Sequence, residues 1–508
     1  MRRSHRLFNN VDLHANEFTS PLIEKGGRCY SCCRAMRSPD ARRGNISRRV
    51  QSSHLIGRRS SSMASQSLNS DPSGIPPTLT SPRAAAFWLA VLLTGIGAGI
   101  SAAILTKLLF FVQHRAWPGP HILDAAAQAS AWHHVMILLA AGALTGIGQI
   151  VLRRLSSGNS IDITEAIKNF AGRLPVLRTL GSAILSIVVV GMGASLGREG
   201  APKQAGAVIA NALSDKATLS DEQRRLLVAC GAGAGMAAAY GVPLGGALFA
   251  VEVLRGVLAL RLILPALLAS ATATGVAWLL AVPDEPTYVI PSFALSASII
   301  CWAIVAGPVA GVVSVGFVRI VEWADRNKPT GKRRVVAPVV ALGVLGAVSI
   351  AFPQLLGNGK DIAELAFTNQ VTPALLLILF VLRPLATVLC LGSGVPGGLF
   401  TPTLAMGALL GGVLGVAWSW VWPGVPPGLY AIIGSAAVLA ATTHGPVSSV
   451  LLVMELTGRD RSFILPMLIA VVTATVVART IDERSIYDAR FSDREVSELM
   501  RARKPTSA

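Results

Sequence analysis

The chain has 508 residues, 52% of them hydrophobic and only 14% charged. Ordinary soluble proteins carry about 25% charge, so the composition sets a soluble enzyme aside and points to a polytopic membrane protein. The net charge of +18 is less informative than its size: residues 1–83 hold 14 Lys and Arg against five Asp and Glu, half of the excess, and the positive-inside bias of cytoplasmic loops covers the remainder.

Residues 1–83 are rich in Arg, Ser and Asn, lack sustained helical periodicity and read as a disordered basic tail. Met63 is the expected natural start; a targeting peptide is the alternative, which Asp12, Glu17 and Glu24 weaken. Nucleic acid is not expected as a partner of this tail. Cys29, Cys32 and Cys33 form a C-x-x-C-C without a second pair at zinc-ligand spacing, so no metal is expected. Cys230, Cys301 and Cys390 lie in apolar sequence and read as packing residues.

The apolar core occupies 84–480. Runs at 84–112 and 135–152 are followed by a polar break at 156–162 and a short helix at 163–170. Apolar sequence at 179–196 leads to Gly197-Arg198-Glu199-Gly200-Ala201, and a helix too brief to span restarts at 202–213. Charged residues at 221–225 are expected to form a surface loop. Apolar sequence follows at 231–254, interrupted by Gly241-Val242-Pro243, and 262–282 ends the first half. The second half repeats the order: 294–321, a basic loop at 326–334, 335–352, then 375–391 leading to Gly392-Ser393-Gly394-Val395-Pro396-Gly397-Gly398-Leu399-Phe400-Thr401-Pro402. Segments at 399–420, 429–443, 447–456 and 464–479 complete the core, and 481–508 is a short cytoplasmic tail without a regulatory domain. Long strands of alternating polarity are missing, against a membrane barrel. The 49 glycines suit close helix packing and helix breaks. The repeated order implies an inverted repeat, all-α, with a site where the two repeats meet.

The two glycine-rich phrases carry the chemistry. Irregular backbone survives in a bilayer only where protein buries it or where it lines a cavity. A helix that starts there presents unpaired N–H groups and its positive dipole end to that cavity, a ready anion site. Glu199 puts a carboxylate at such a start, although a charge in apolar sequence costs roughly 2.5–3.5 kcal/mol on insertion scales. It is read as a gate that protonation or a competing anion displaces; a structural ion pair with Arg198 is the other reading. Pro396 and the glycines after it free the amides of Leu399 and Phe400 as anion donors.

Together these phrases resemble the CLC family of chloride channels and anion–proton antiporters over essentially the whole core. The family's G-R-E-G-P reads Gly197 to Ala201 here, with alanine in place of proline. The stretch from Gly231 through Tyr240, Pro243 and Phe249 to Glu252, and the late Glu455-Leu456-Thr457 with Pro466, are also family-like. The resemblance implies a CLC-type inverted-repeat fold with many tilted and broken helices, a homodimer with one pore per subunit, and the cell (inner) membrane. It implies Glu199 as the external gate, with Arg198, Gly200, Leu399 and Phe400 around the anion. The family's early serine loop corresponds to 157–161, where Gly158 or Asn159 would face the ion instead of serine. The family's anion-contacting tyrosine is expected between Thr457 and Phe463, where this sequence has none and offers Arg461. Family antiporters carry an inner proton-accepting glutamate just after Glu252; that position is Val253, so the chain resembles the channel branch, unless Glu252 itself takes the role.

The function expected from sequence is a glutamate-gated chloride channel, voltage- or pH-gated, without cofactor. The alternative is an anion–proton antiporter for chloride, fluoride or nitrate. A cation symporter would need carboxylates or more hydroxyls at the breaks. The core histidines pair with no acidic residue in a catalytic spacing, which sets a membrane enzyme aside.

Overall fold

A computed structural model gives the architecture and describes residues 82–119, 121–156, 162–280, 287–288, 290, 296–458 and 464–488. The tail at 1–81 and the stretch 489–508 lie outside the described residues. The described residues form 17 α-helices, a π-helical turn and a 3-10 turn. The first half runs α1 (Pro82–Ala116), α2 (Ile122–Gln128), α3 (Ala131–Leu155), α4 (Ile163–Asn169), α5 (Val176–Gly191), α6 (Gly200–Lys216), α7 (Asp221–Tyr240), α8 (Pro243–Leu248), the π turn Phe249–Arg255 and α9 (Leu260–Leu279). The second runs α10 (Ala297–Arg326), α11 (Arg333–Ala351), the 3-10 turn Pro353–Leu355, α12 (Lys360–Phe367), α13 (Pro373–Ser393), α14 (Phe400–Ser419), α15 (Pro427–Thr443), α16 (Pro446–Thr457) and α17 (Ile464–Ile481).

Eight of these helices are long and apolar enough to cross a bilayer. At 1.5 Å per residue about 20 residues are needed, so the apolar α5, α15 and α16 fall short and must end inside the protein or at its rim. Helix α15, and α7 from Leu226 onward, are apolar on all sides and almost wholly buried, as expected of elements at the centre of a bundle. Small residues make this possible. A Cβ added to Gly206 of α6 would lie 2.0 Å from the Gly231 carbonyl oxygen of α7, so the two backbones touch directly, the contact that substitutes for hydrophobic drive within lipid.

Helix α7 begins at Asp221 rather than after the expected loop at 221–225. Ser220 accepts a hydrogen bond from the Gln223 amide while the Gln223 side chain accepts one from Ser220 N–H, a complete capping box, with Asp221 and Glu222 in the favoured first turn. The charges there belong to a capped helix end.

The two halves match in detail. In each, a buried helix (α7, α15) ends on a left-handed residue, Gly241 or His444, then restarts at Pro243 or Pro446. Nine residues beyond each proline stands a glutamate, Glu252 and Glu455. These glutamates cap across the repeat. Glu252 accepts from the amides of Val447 (3.1 Å) and Ser448 (2.6 Å) at the start of α16; Glu455 accepts from Leu244 (2.9 Å) and Gly245 (2.6 Å) at the start of α8. Each carboxylate satisfies two of the donors that a helix start leaves open. After α17 the chain turns back into the body: the Ile486 amide bonds the Thr442 carbonyl at 2.8 Å, and the Ile486 side chain is buried.

Candidate anion site

Helices α6 and α14 begin beside one another, each directly after its glycine-rich phrase. The phrases meet in an isolated antiparallel bridge in which Gly197 N–H bonds the Gly398 carbonyl and Gly398 N–H bonds that of Gly197, both at 2.8 Å. Residues 201 positions apart are thereby held in register, with both positive dipole ends at one point.

Glu199 is fully buried at this point, as the residue before the first turn of α6. Its Oε1 accepts from the Phe400 amide at 2.6 Å. Its Oε2 accepts from the Thr401 hydroxyl at 3.1 Å, and the Tyr240 hydroxyl stands 3.4 Å from Oε2 and 2.8 Å from Thr401 Oγ1. One backbone amide at a helix start and two hydroxyls thus surround an anionic group, and bonds to an ionised acceptor are the strong ones. The glycines explain how the carboxylate fits. A Cβ on Gly197 or Gly398 would lie 2.1 Å from a Glu199 carboxylate oxygen, so both positions must lack a side chain.

Arg198 forms no ion pair with Glu199. Its guanidinium lies 4.7 Å from the centroid of the Tyr240 ring, a cation–π geometry, and the ion-pair reading of Glu199 gives way to the capture of a helix-start amide. Gly200 opens α6, close enough to the second phrase that a Cβ there would be 3.2 Å from the Gly398 nitrogen. Leu399 is buried as the residue preceding α14. Val253 is buried in the π turn, beside Glu252, whose carboxylate is committed to the α16 amides. Gly158, Asn159 and Arg461 lie outside the described residues.

Sequence reasoning missed two contributors to the site and one pair packed against Phe249. Tyr240 and Thr401 hold the carboxylate, and both lie within motifs singled out for their glycines and prolines. Tyr487, outside the stretch searched for a tyrosine, packs edge-on against Phe249 with ring centroids 5.7 Å apart. Lys203, one helical turn after Glu199, is buried with Nζ 5.2 Å from the centroids of both rings. A lysine in an apolar half-helix was its available signal. No group of three or more His, Cys, Asp or Glu suited to a metal occurs among the described residues.

Residues 141–479 match the family described as voltage gated chloride channel. The chain is 33% identical over 379 residues to a protein of Citrobacter koseri named as the voltage-gated ClC-type chloride channel ClcB, covering 72% of this chain and 89% of that one. It is 31% identical over 368 residues to the H(+)/Cl(-) exchange transporter ClcA of Vibrio campbellii, covering 69% and 78%. Among solved structures, a slow cyanobacterial Cl-/H+ antiporter superposes with a TM-score of 0.70 at 23% identity, covering 84% of this chain and 99% of that one. A CLC-type fluoride/proton antiporter superposes with a TM-score of 0.65 at 24% identity, covering 81% and 99%. At those identities the structures speak for the fold alone. The chain belongs to the CLC family. It is a multi-pass integral membrane protein that transports anions, and it is not an enzyme.

Proposed function

We propose that this chain is a chloride channel closed by the Glu199 carboxylate, working as a homodimer with one pathway per subunit. The observation that carries the reading is the 2.6 Å bond from the Phe400 amide to Glu199: a helix-start donor of the kind that binds anions is taken by the chain's own carboxylate. Protonation removes the charge that the amide and hydroxyls stabilise, and a permeant anion then takes over the same donors. In this reading Arg198, Gly200, Leu399 and Phe400 surround the anion, Gly158 or Asn159 faces it in place of a serine, and Arg461 is the inner-side contact.

The channel reading over exchange is supported by two neighbours. Val253 carries no proton, and Glu252 is held by two amides at the start of α16. A proton chain of Asp, Glu or His has a gap there. The second reading, exchange of anion against proton, has in its favour the buried Glu199, a proton acceptor inside the site. Purified protein in liposomes with an anion gradient, a clamped potential and a pH dye separates the two. The channel reading expects anion flux without uphill proton movement. Proton pumping driven by the anion gradient would overturn it, and loss of that pumping in Glu252→Gln would transfer the proton role to Glu252.

A further inference from the structure

A groove of about 1010 Å³ runs along the lipid-facing side of the second half, between α11 and α13 and beneath the end of α10. Its walls are Val336, Val340 and Val344 of α11 and Leu385, Val388 and Leu389 of α13. All but Val388 are exposed, so no partner among the described residues covers these side chains. Val336 to Val344 spans about 12 Å at the helical rise, close to the roughly 15 Å that one leaflet's hydrocarbon occupies. One end of the groove is strongly basic: Lys328, Lys332 and Arg333 line it, with exposed Trp323 alongside. Lys328 is paired with Asp325, whereas Lys332 and Arg333 form no ion pair among the described residues. A tryptophan at the level of the cations is the arrangement of a membrane interface, and the concentration of Lys and Arg in this connection assigns it to the cytoplasmic leaflet.

We propose that this groove binds one anionic glycerophospholipid of the inner leaflet, an acyl chain lying along the valines and leucines and the headgroup phosphate against Lys332 and Arg333. Apolar walls alone accept any lipid tail. The uncompensated cations at the mouth select for a net negative headgroup, as basic pockets between spanning helices do on the cytoplasmic side. The inner end of the site is Gly392 and Ser393, the last turn of α13. A second cavity of about 250 Å³ shares Lys328 and Pro329 with the groove, adds Arg153, Arg178 and Arg334, and reaches Gly394 to Gly397. The lipid therefore sits against the phrase that leads to Phe400.

The test uses full-length protein extracted from vesicles of equal phosphatidylglycerol and phosphatidylcholine, with bound lipid read by native mass spectrometry. The wild type is expected to retain phosphatidylglycerol at least threefold over phosphatidylcholine. The double variant Lys332→Gln/Arg333→Gln, altered only at surface positions, should lose that preference while still carrying lipid. Val340→Trp fills the groove with the cations intact and should carry less of both lipids. Equal retention of the two lipids by the wild type would overturn the proposal, as would an unchanged preference in the double variant or undiminished lipid in Val340→Trp. Displacement of the bound lipid by millimolar inorganic phosphate would also overturn it, since a soluble-anion site needs no acyl groove.

Discussion

Gly197 and Gly398 are expected to be nearly as sensitive as the glutamate they enclose. Each would place a Cβ 2.1 Å from a Glu199 oxygen, so Gly398→Ala must push the carboxylate off the Phe400 amide. Losing one bond to a charged acceptor costs about 1.5–3 kcal/mol, and chloride flux at pH 7 should rise by roughly tenfold or more. Flux and pH profile both identical to wild type in liposomes would mean that the carboxylate is not what closes the pathway. Glu199→Gln keeps the volume and removes the charge; anion flux should persist and its dependence on external pH should vanish. A Glu199→Gln protein with an unchanged pH profile would refute the gate. Glu199 and the two glycine phrases were legible because breaks and a carboxylate stand out in apolar sequence. Tyr240 and Thr401 were not, since a hydroxyl in a membrane helix commonly bonds its own backbone. Thr403 does so here, at 2.6 Å to the Leu399 carbonyl, while its neighbour two residues earlier binds the carboxylate.

The crossed caps on α8 and α16 give the helices a testable signature. Glu252→Ala and Glu455→Ala should each lower the unfolding midpoint in detergent, by a cost of about 1–2 kcal/mol, because each strands two helix-start amides. Glu252→Gln, which keeps one acceptor oxygen, should lose less than Glu252→Ala. Equal stability of all three variants and the wild type would show that the caps do not hold the two repeats together. The spacing of nine residues from Pro243 to Glu252 and from Pro446 to Glu455 is visible in the sequence. What is not visible is the partner: read along the chain, each glutamate follows its own proline helix, and only the folded repeat turns it onto the other one. The start of α7 shows the opposite failure. Its capping box was written in Ser220 and Gln223, and the charges at 221–225 were given to a loop because polarity outweighed the cap signal.

The segment after α17 is fastened to α4 of the first half. Lys168 of α4 and Asp488 form an ion pair with side chains only 10% and 4% exposed, next to the buried Ile486. Removing one partner of such a pair leaves a buried charge and costs about 3–5 kcal/mol, whereas replacing both with apolar residues is often neutral. Asp488→Ala should therefore destabilise the protein strongly, and Lys168→Met combined with Asp488→Leu should recover most of the loss; a double variant no better than the single would show that the pair is not what anchors this segment. The reading of 481–508 as a tail beyond the core had no way to anticipate this, since nothing between Ile481 and Asp488 is apolar enough to announce burial except Ile486 and Tyr487.

The sequence by itself determined the membrane class, the helical architecture, the doubling of the two halves and the position of the glutamate, because these follow from local composition, periodicity and the cost of charge and broken backbone in an apolar medium. The tertiary structure alone decided which donors meet that glutamate. Phe400, Thr401 and Tyr240 reach it from 201, 202 and 41 residues away, and such contacts are set by how the repeats pack across the Gly197–Gly398 bridge. The same holds for Glu252, for Tyr487 and Lys203, and for the basic mouth of the α11–α13 groove: the residue types are local, but their chemistry depends on neighbours that the chain brings together only on folding.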